Sequence, residues 1–304
     1  MTPFEVFSLT ASSFALVFIG LIALWRPWKR TVDAAAPSWA FPPLLAAGYV
    51  TGHTLISSFP AFPAVTADEW LVYASIAAAL WGLLEACFKK MPAPFLHSGR
   101  LILLGTFFWL MAGPRLGVVF FLGLTAVSLC WLTLLDRATA HRGNLTAVII
   151  LVLLSGLSGV IFVLGASLKL ALLSWALCAG LSAKAMVVAL TTAQRRAPLT
   201  PALPLIALLV VGLFISGVLY AQAPLASAVG IVAACAAPLC LNLWLNSPHR
   251  SGADPSDRWR RAKLGIGQFA LALLIAGAAT GYAFYDTQIA EDEVDDEVYD
   301  PYDY

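Results

Sequence analysis

Three ionisable residues, Lys184, His53 and Glu85, lie inside long apolar segments of this 304-residue sequence. A charged side chain is costly to bury in lipid, so it is kept where it pairs with another group, contacts a solute or moves a proton. Small residues such as Gly180 and Ser182 surround Lys184 and favour close helix contact over lipid. We therefore expect the Lys184 ammonium to face the protein interior, with snorkelling toward the membrane interface as the alternative.

Glu85 precedes Lys89 by one helical turn. An ion pair at this i,i+4 spacing would hold the Glu85 charge without any further role. The alternative is a salt bridge across helices to Lys184, which would neutralise two charges in a medium of low dielectric constant. The spacing favours the local pair.

His53 shares its apolar segment with several residues that carry hydroxyl groups, namely Tyr49, Thr51, Thr54, Ser57 and Ser58. Such a polar face must point toward protein or a water-filled cavity. The other three histidines fall in predicted loops, so a two-histidine haem or metal site within the membrane is excluded. Structural hydrogen bonding is thus favoured for His53. The sequence predicts no cofactor, no metal site and no catalytic group, because it contains no CxxC pair and no nucleophile or acid–base constellation.

The segment 286–304 is the strongest compositional anomaly, with nine carboxylates, no Lys or Arg, and three tyrosines. A block of like charges is typically disordered and solvated. The alternative is an extracytoplasmic arm that binds a basic partner, in which the tyrosines add contact area. The candidate partner-binding residues of this tail are Glu291, Asp292, Glu293, Asp295, Asp296, Glu297, Tyr299, Asp300, Tyr302, Asp303 and Tyr304.

The elements that must position these groups are membrane helices. Hydrophobic residues make up 60% of the chain and charged residues only 12%, and the mean hydropathy is +0.84. Charged residues alone are about a quarter of a soluble domain. The composition excludes a soluble enzyme and a disulfide-stapled secreted module, and a net charge of +1 without an aromatic-flanked basic patch excludes a nucleic-acid binder. It predicts an all-α integral membrane protein, a polytopic helical bundle with short loops.

Charges, prolines and polar clusters divide the chain into about ten segments of transmembrane length. The predicted spans are 7–25, 38–59, 70–88, 101–112, 116–135, 145–166, 168–193, 202–222, 225–245 and 264–285. The fourth segment reaches only about 20 Å at 1.5 Å per residue, so a re-entrant hairpin is the alternative there. The bundle is predicted to cover residues 1–285, and the acidic tail residues 286–304.

Basic residues give an independent test of this division, because Lys and Arg in short loops stay on the cytoplasmic side. Fifteen of the eighteen basic residues fall in alternate predicted loops, and the exceptions are Arg115, Lys169 and Lys184. Arg100 is assigned to the loop after the third span. The pattern predicts ten spans in the plasma (inner) membrane, with both termini extracytoplasmic.

Three classes of function compete for this architecture, and a membrane enzyme acting on lipid is the third, because it would need a nucleophile, an acid–base pair or a metal cluster that the sequence does not show. A small-solute permease fits ten spans, minimal loops and two halves of five spans each. Size and span count resemble the drug/metabolite transporter superfamily, but that family has cytoplasmic termini, opposite to those predicted here, so the chain is not assigned to it. The alternative is a noncatalytic structural, anchor or assembly subunit of a larger membrane complex. The expected partners are the lipid bilayer, membrane-complex subunits or a basic extracytoplasmic protein, and not nucleic acid.

Overall fold

The computed structural model describes residues 3–25, 37–88, 91–112, 117–141, 144–165, 167–190, 199–245 and 258–296. Every regular element within these ranges is helical. Short 3-10 turns, Ser38–Ala40 and Thr200–Ala202, lead into the second and eighth α-helices. The α-helices are α1 (Pro3–Trp25), α2 (Phe41–Ser57), α3 (Ala67–Cys87), α4 (Ala93–Ala112), α5 (Val118–His141), α6 (Asn144–Leu164), α7 (Leu168–Leu190), α8 (Leu203–Tyr220), α9 (Leu225–Leu245) and α10 (Arg258–Asp296).

Seven of the described helices are long and apolar enough to cross a membrane, namely α1, α3, α4, α6, α7, α8 and α10. The mean hydropathy of their most apolar windows runs from 1.4 to 2.9. Together with the composition, these helices indicate a multi-pass membrane protein. Each of the ten predicted segments coincides with a helix, although α2 has only 17 residues.

Helix α8 lies at the centre of the bundle. It packs against α3, α4 and α5, and 89% of its apolar window is buried inside the protein. Every residue from Leu203 to Gly217 is buried, and Ser216 is the one polar side chain among them. A helix that is apolar on all sides lies in a protein core or in a membrane. The burial of α8 inside the protein therefore makes it the core around which the other helices pack.

Helices α1, α2 and α7 approach one another closely beside this core. Ser13 on α1 donates a hydrogen bond to the backbone oxygen of Gly48 on α2, at 3.0 Å. A Cβ atom on Gly52 would lie 2.7 Å from the Cβ of Ala176 on α7. Glycine at these two positions of α2 therefore permits backbone contact, as small residues do between membrane helices.

The start of α3 is fixed by a capping box. Glu69 accepts hydrogen bonds from the backbone N–H groups of Val65, at 2.7 Å, and Thr66, at 3.3 Å, while the Thr66 side chain accepts from the Glu69 backbone. Such reciprocal bonds satisfy donors that the first helical turn leaves free. They also hold Asp68 in that turn, at the end of α3 that the sequence predicts to be extracytoplasmic.

Helix α4 corrects the fourth predicted span. It begins at Ala93 instead of Leu101 and has 20 residues, which span about 30 Å at 1.5 Å per residue. The sequence places the start of the span after Arg100, because an arginine is expected outside the membrane. Arg100 is instead fully buried within the helix. The continuous helix makes a re-entrant hairpin unnecessary.

Helix α10 differs from the expectation of a solvated coil after Tyr285. It continues without a break to Asp296 and has 39 residues. The segment after Tyr285 retains helix-forming residues, and the Thr287 hydroxyl donates to the backbone oxygen of Ala283 at 2.8 Å. Five of the tail candidates thus lie on this helix, Glu291, Asp292, Glu293, Asp295 and Asp296. The others lie outside the described residues, Glu297, Tyr299, Asp300, Tyr302, Asp303 and Tyr304.

Candidate functional site

A buried ion network joins α3, α4 and α5 at one end of the bundle. Arg100 Nε lies 2.8 Å from Glu85 Oε1, and Arg100 Nη2 lies 2.7 Å from Glu85 Oε2. Arg100 Nη1 also donates to Asp136 Oδ2 at 3.2 Å, and Trp81 Nε1 donates to Glu85 Oε1 at 2.5 Å. The side chains of Arg100 and Glu85 are 0% and 2% exposed. We call this group the Arg100 network.

The Arg100 network satisfies Glu85 completely. Two parallel N–H···O bonds between a guanidinium and a carboxylate are among the strongest pairings available to these side chains. The alternative pairing, of Glu85 with Lys184, is not found, because both Glu85 oxygens are bonded to Arg100. Lys89, the local partner that the sequence favoured, lies outside the described residues. The network joins three helices through a buried guanidinium and a buried carboxylate that satisfy each other without water.

A second ion cluster joins α2, α3 and α7 at the opposite end of α3. Asp68 Oδ2 accepts from Lys169 Nζ at 2.5 Å and lies 3.3 Å from His53 Nε2. The side chains are 40% exposed for Lys169, 13% for Asp68 and 1% for His53. The rise of 1.5 Å per residue separates Asp68 from Glu85 by about 25 Å along α3. We call this group the Asp68 cluster.

The geometry fixes the tautomer of a neutral His53 ring. Because Nε2 faces a carboxylate oxygen, it must carry the hydrogen, and Nδ1 is then an acceptor. Within the described part of the chain, neither His53 Nδ1 nor the Tyr49 hydroxyl has a hydrogen-bond partner, and both atoms are buried. Tyr49 precedes His53 by one turn of α2. This face of α2 thus carries unused hydrogen-bonding capacity within the protein.

Lys184 is buried where α7 packs against α1 and α2, and the residue is 3% exposed. Its ammonium lies 5.3 Å from the centre of the Phe41 ring, a contact that offsets part of the desolvation cost. Among the described residues, no carboxylate lies within ion-pair distance of it. Lys184 is thus a buried cation close to the start of α2.

Five polar side chains lie on α2 or on the helices α3 and α7 that pack against it, and we call them the polar row. The row consists of Lys184, Tyr49, His53, Asp68 and Lys169. From Phe41, beneath Lys184, to His53 it extends about 18 Å at 1.5 Å per residue. Leu45 interrupts the row between Lys184 and Tyr49; it is 1% exposed. A Cβ on Gly180 would lie 2.7 Å from Leu45 Cδ1. Glycine at position 180 therefore allows α7 to pack directly against Leu45.

A small cleft opens at the same end of the bundle as the Asp68 cluster. Its volume is about 150 Å³. The Tyr220 hydroxyl at its edge donates to the backbone oxygen of Met111 at 2.9 Å and ties the ends of α8 and α4 together. The cleft carries no charged side chain, and its lining residues are Val65, Ala67, Trp70, Leu110, Met111, Ala112 and Tyr220. It is therefore separate in chemistry from the polar row.

Sequence reasoning selected His53, Lys184 and Glu85 but missed their partners. It assigned Arg100 to a loop and Lys169 to an interfacial turn. The available signal for the second cluster was charge, since Asp68 and Lys169 have opposite signs and both fall in loops predicted on the same side. The same signal was available for Glu85 and Arg100, which have opposite signs and are both predicted at the cytoplasmic side.

The described residues contain no group of three or more His, Cys, Asp or Glu side chains that could hold a metal ion. Comparison with known proteins assigns no family, because no family model, curated protein or solved structure matches the chain. The functional interpretation therefore rests on the polar row and the two ion clusters.

Proposed function

We propose that this protein is a small-solute permease of about ten transmembrane helices. The observation that carries the proposal is the polar row, in which ionisable side chains of α2, α3 and α7 lie along the length of α2. Ionisable groups within a membrane bundle are rare, and they mark solute, ion or proton pathways. Lys184 is the proposed contact for polar atoms of the solute, because its buried ammonium is not paired with a carboxylate among the described residues.

The rest of the molecule provides the contrast. Helix α8 is buried by apolar residues almost throughout, so this chain builds an apolar interior where only packing is required. Replacing buried charges by apolar residues is often neutral or stabilising. Lys184 and His53 are therefore costly to retain in a bundle that serves only as a scaffold.

The ion clusters support the proposed membrane topology. The charge map predicts that Asp68 and Lys169 lie outside the cytoplasm, and these two residues are paired. It predicts that the helix ends bearing Glu85 and Asp136 lie near the cytoplasm, and Arg100 joins them. We accordingly propose ten spans in the plasma (inner) membrane, with both termini extracytoplasmic.

The conformation described here is closed at the polar row. Leu45 separates Lys184 from Tyr49, and Gly180 allows α7 to pack directly against Leu45. A solute could pass along the row only if α2 and α7 separate at this point.

The test is uptake into proteoliposomes that contain the purified full chain, with radiolabelled pools of amino acids, sugars and organic acids as probes. We expect at least one pool to accumulate above the level in protein-free liposomes, and Lys184→Met to abolish that uptake. The control is Thr125→Val, which removes a buried polar group, a hydroxyl, on α5 and outside the row. Equal uptake by the two variants, or no uptake of any pool, would overturn the proposal.

A second candidate, a noncatalytic subunit of a membrane complex, is favoured by the length of α10. Its 39 residues extend about 58 Å at 1.5 Å per residue, well beyond a hydrocarbon core of about 30 Å. The acidic end of α10 would then project from the membrane as a helix able to dock a basic extracytoplasmic protein. Purification from the native membrane in mild detergent tests this candidate. A stoichiometric partner that is lost at high salt and on truncation after Tyr285 would support it, and a single band would refute it.

A further inference from the structure

We propose that His53 binds a proton, and that this protonation releases Lys169 from Asp68. The proton would then be the coupling ion of the permease, and only this last step rests on the proposed function. Lys169 Nζ and His53 Nε2 both contact one atom, Asp68 Oδ2, at 2.5 and 3.3 Å. A single carboxylate oxygen serves two cationic or potentially cationic groups.

The proton has one place to bind. Nε2 of neutral His53 already carries a hydrogen, because it faces a carboxylate, so the incoming proton adds to the lone pair of Nδ1. Nδ1 is buried and has no hydrogen-bond partner among the described residues. No covalent bond in the protein breaks. The proton comes from water at the Asp68 end, where Asp68 is 13% exposed and the outermost group, Lys169, is 40% exposed.

Protonation changes the balance of charge at the cluster. A neutral His53 leaves Lys169 as the cation on Asp68, whereas an imidazolium places a second positive charge against the same oxygen. Like charges at this distance repel, and the partner with access to water leaves more easily. Lys169 can be hydrated and His53, 1% exposed, cannot. The imidazolium therefore keeps Asp68, and the link between α3 and α7 opens.

The surroundings of His53 contain few other titratable groups among the described residues. Tyr49 lies on the same helix, α3 contributes Asp68 and Glu69, and α7 contributes Lys169 and, beside Phe41 at the start of α2, Lys184. Ser13, the polar side chain that α1 presents near Gly52, is neutral. Glu69 is held by the capping box. Asp68 is therefore the one carboxylate among these groups for which Lys169 and a protonated His53 would compete.

The first measurement is proton binding itself. Nitrogen NMR of the full chain, labelled at histidine and held in nanodiscs, should show one buried ring whose Nδ1 becomes protonated as the pH falls from 8 to 5. His53→Gln, which keeps an N–H donor for Asp68 but does not titrate, should remove that signal and leave those of the other histidines. A His53 ring that stays neutral down to pH 5 would overturn the proposal.

The second measurement is the distance between α3 and α7. Spin labels at Val65 and Leu168, which are 85% and 47% exposed, report this end in a background without native cysteines. At pH 5 we expect the distance in the wild type to lengthen by more than about 2 Å, the scale of a true rearrangement. With His53→Gln it should stay at the short value at both pH values. With Lys169→Met it should be long at both.

The matched control is His97→Gln, a change of an exposed histidine on α4, which should retain the pH-dependent shift. A shift that persists in His53→Gln, or a wild-type distance independent of pH, would overturn the inference. The measurements need no solute. If the shift occurs and no solute pool is taken up, the proton site stands and the permease proposal fails. If uptake occurs without proton binding at His53, the permease stands and the coupling is refuted.

Discussion

Removal of Arg100 is the perturbation for which the structure gives the clearest magnitude. Arg100→Gln would leave the Glu85 carboxylate, 2% exposed, without its two short guanidinium bonds of 2.7 and 2.8 Å. Breaking a buried ion pair from one side costs about 3–5 kcal/mol, because the remaining charge is uncompensated. Trp81 still donates to Glu85, so some compensation remains. We expect the free energy of unfolding to fall by about 3–5 kcal/mol.

The opposite change should cost less. Glu85→Gln removes the negative charge, but Arg100 keeps a second carboxylate, Asp136, at 3.2 Å. A lost hydrogen bond to a charged group is worth about 1.5–3 kcal/mol, so Glu85→Gln should lie in that range. The double variant removes both charges and leaves neither one isolated. Its cost should therefore fall short of the sum of the two single costs by about 0.5–3 kcal/mol.

The assay is reversible unfolding in mixed micelles, followed by tryptophan fluorescence, with the free energy of unfolding determined for each variant. Arg137→Gln is the matched control, since Arg137 is an exposed arginine on α5, the helix that contributes Asp136 to the network. Surface ion pairs contribute at most about 1 kcal/mol, so this variant should cost little. If Arg100→Gln costs no more than Arg137→Gln, the buried network does not stabilise the bundle. If the two single costs simply add, Arg100 and Glu85 are not coupled.

Three further predictions concern the polar row and the tail. Lys184→Met should leave the free energy of unfolding unchanged or raise it, because it removes a buried charge that has no ion-pair partner among the described residues. Marked destabilisation in the same assay would show that Lys184 has a structural partner. Gly180→Ala should cost about 1–3 kcal/mol, because the new Cβ would meet Leu45 at 2.7 Å, and an unchanged stability would mean that the contact is loose. Truncation after Tyr285 should leave the thermal midpoint in detergent unchanged, since Gln288 and Ile289 are exposed, whereas unfolding on truncation would show that the acidic end packs on the bundle.

The helix positions could be predicted from the sequence because each one depends on local hydropathy. Helix α8 is apolar throughout, and its segment needs no partner to be recognised. The start of α4 could not be predicted in the same way. Hydropathy treats Arg100 as a boundary, but an arginine enters a helix bundle when carboxylates from other helices meet it, and this depends on three-dimensional contacts.

The candidate site, too, could be predicted only in part from the sequence. His53 and Lys184 were recognised because an ionisable residue in an apolar segment is conspicuous in the sequence alone. Their surroundings depend on packing between helices that are distant in the chain, such as the contact of Lys169 on α7 with Asp68 on α3. Periodicity carries no information about such contacts. In the acidic segment, the described residues as far as Asp296 are helical and not disordered, because charge repulsion weakens a helix but does not prevent it from continuing.

The position of α3 determines how the proposed permease would move. Its Asp68 end is joined to α2 and α7 by an ion cluster whose Lys169 is 40% exposed. Its Glu85 end is joined to α4 and α5 by the Arg100 network, in which Arg100 and Glu85 are buried and Asp136 is 26% exposed. Between these ends α3 packs along the apolar core helix α8. Protonation of His53 would therefore free only the Asp68 end, while the Arg100 network holds the other as a fixed point. Helix α7 would then open first beside His53 and last beside Leu45, so a proton would reach His53 before a solute could reach Lys184. This order requires that the Arg100 network remain intact throughout the opening, and labels placed at the Glu85 end should keep one distance at pH 5 and pH 8.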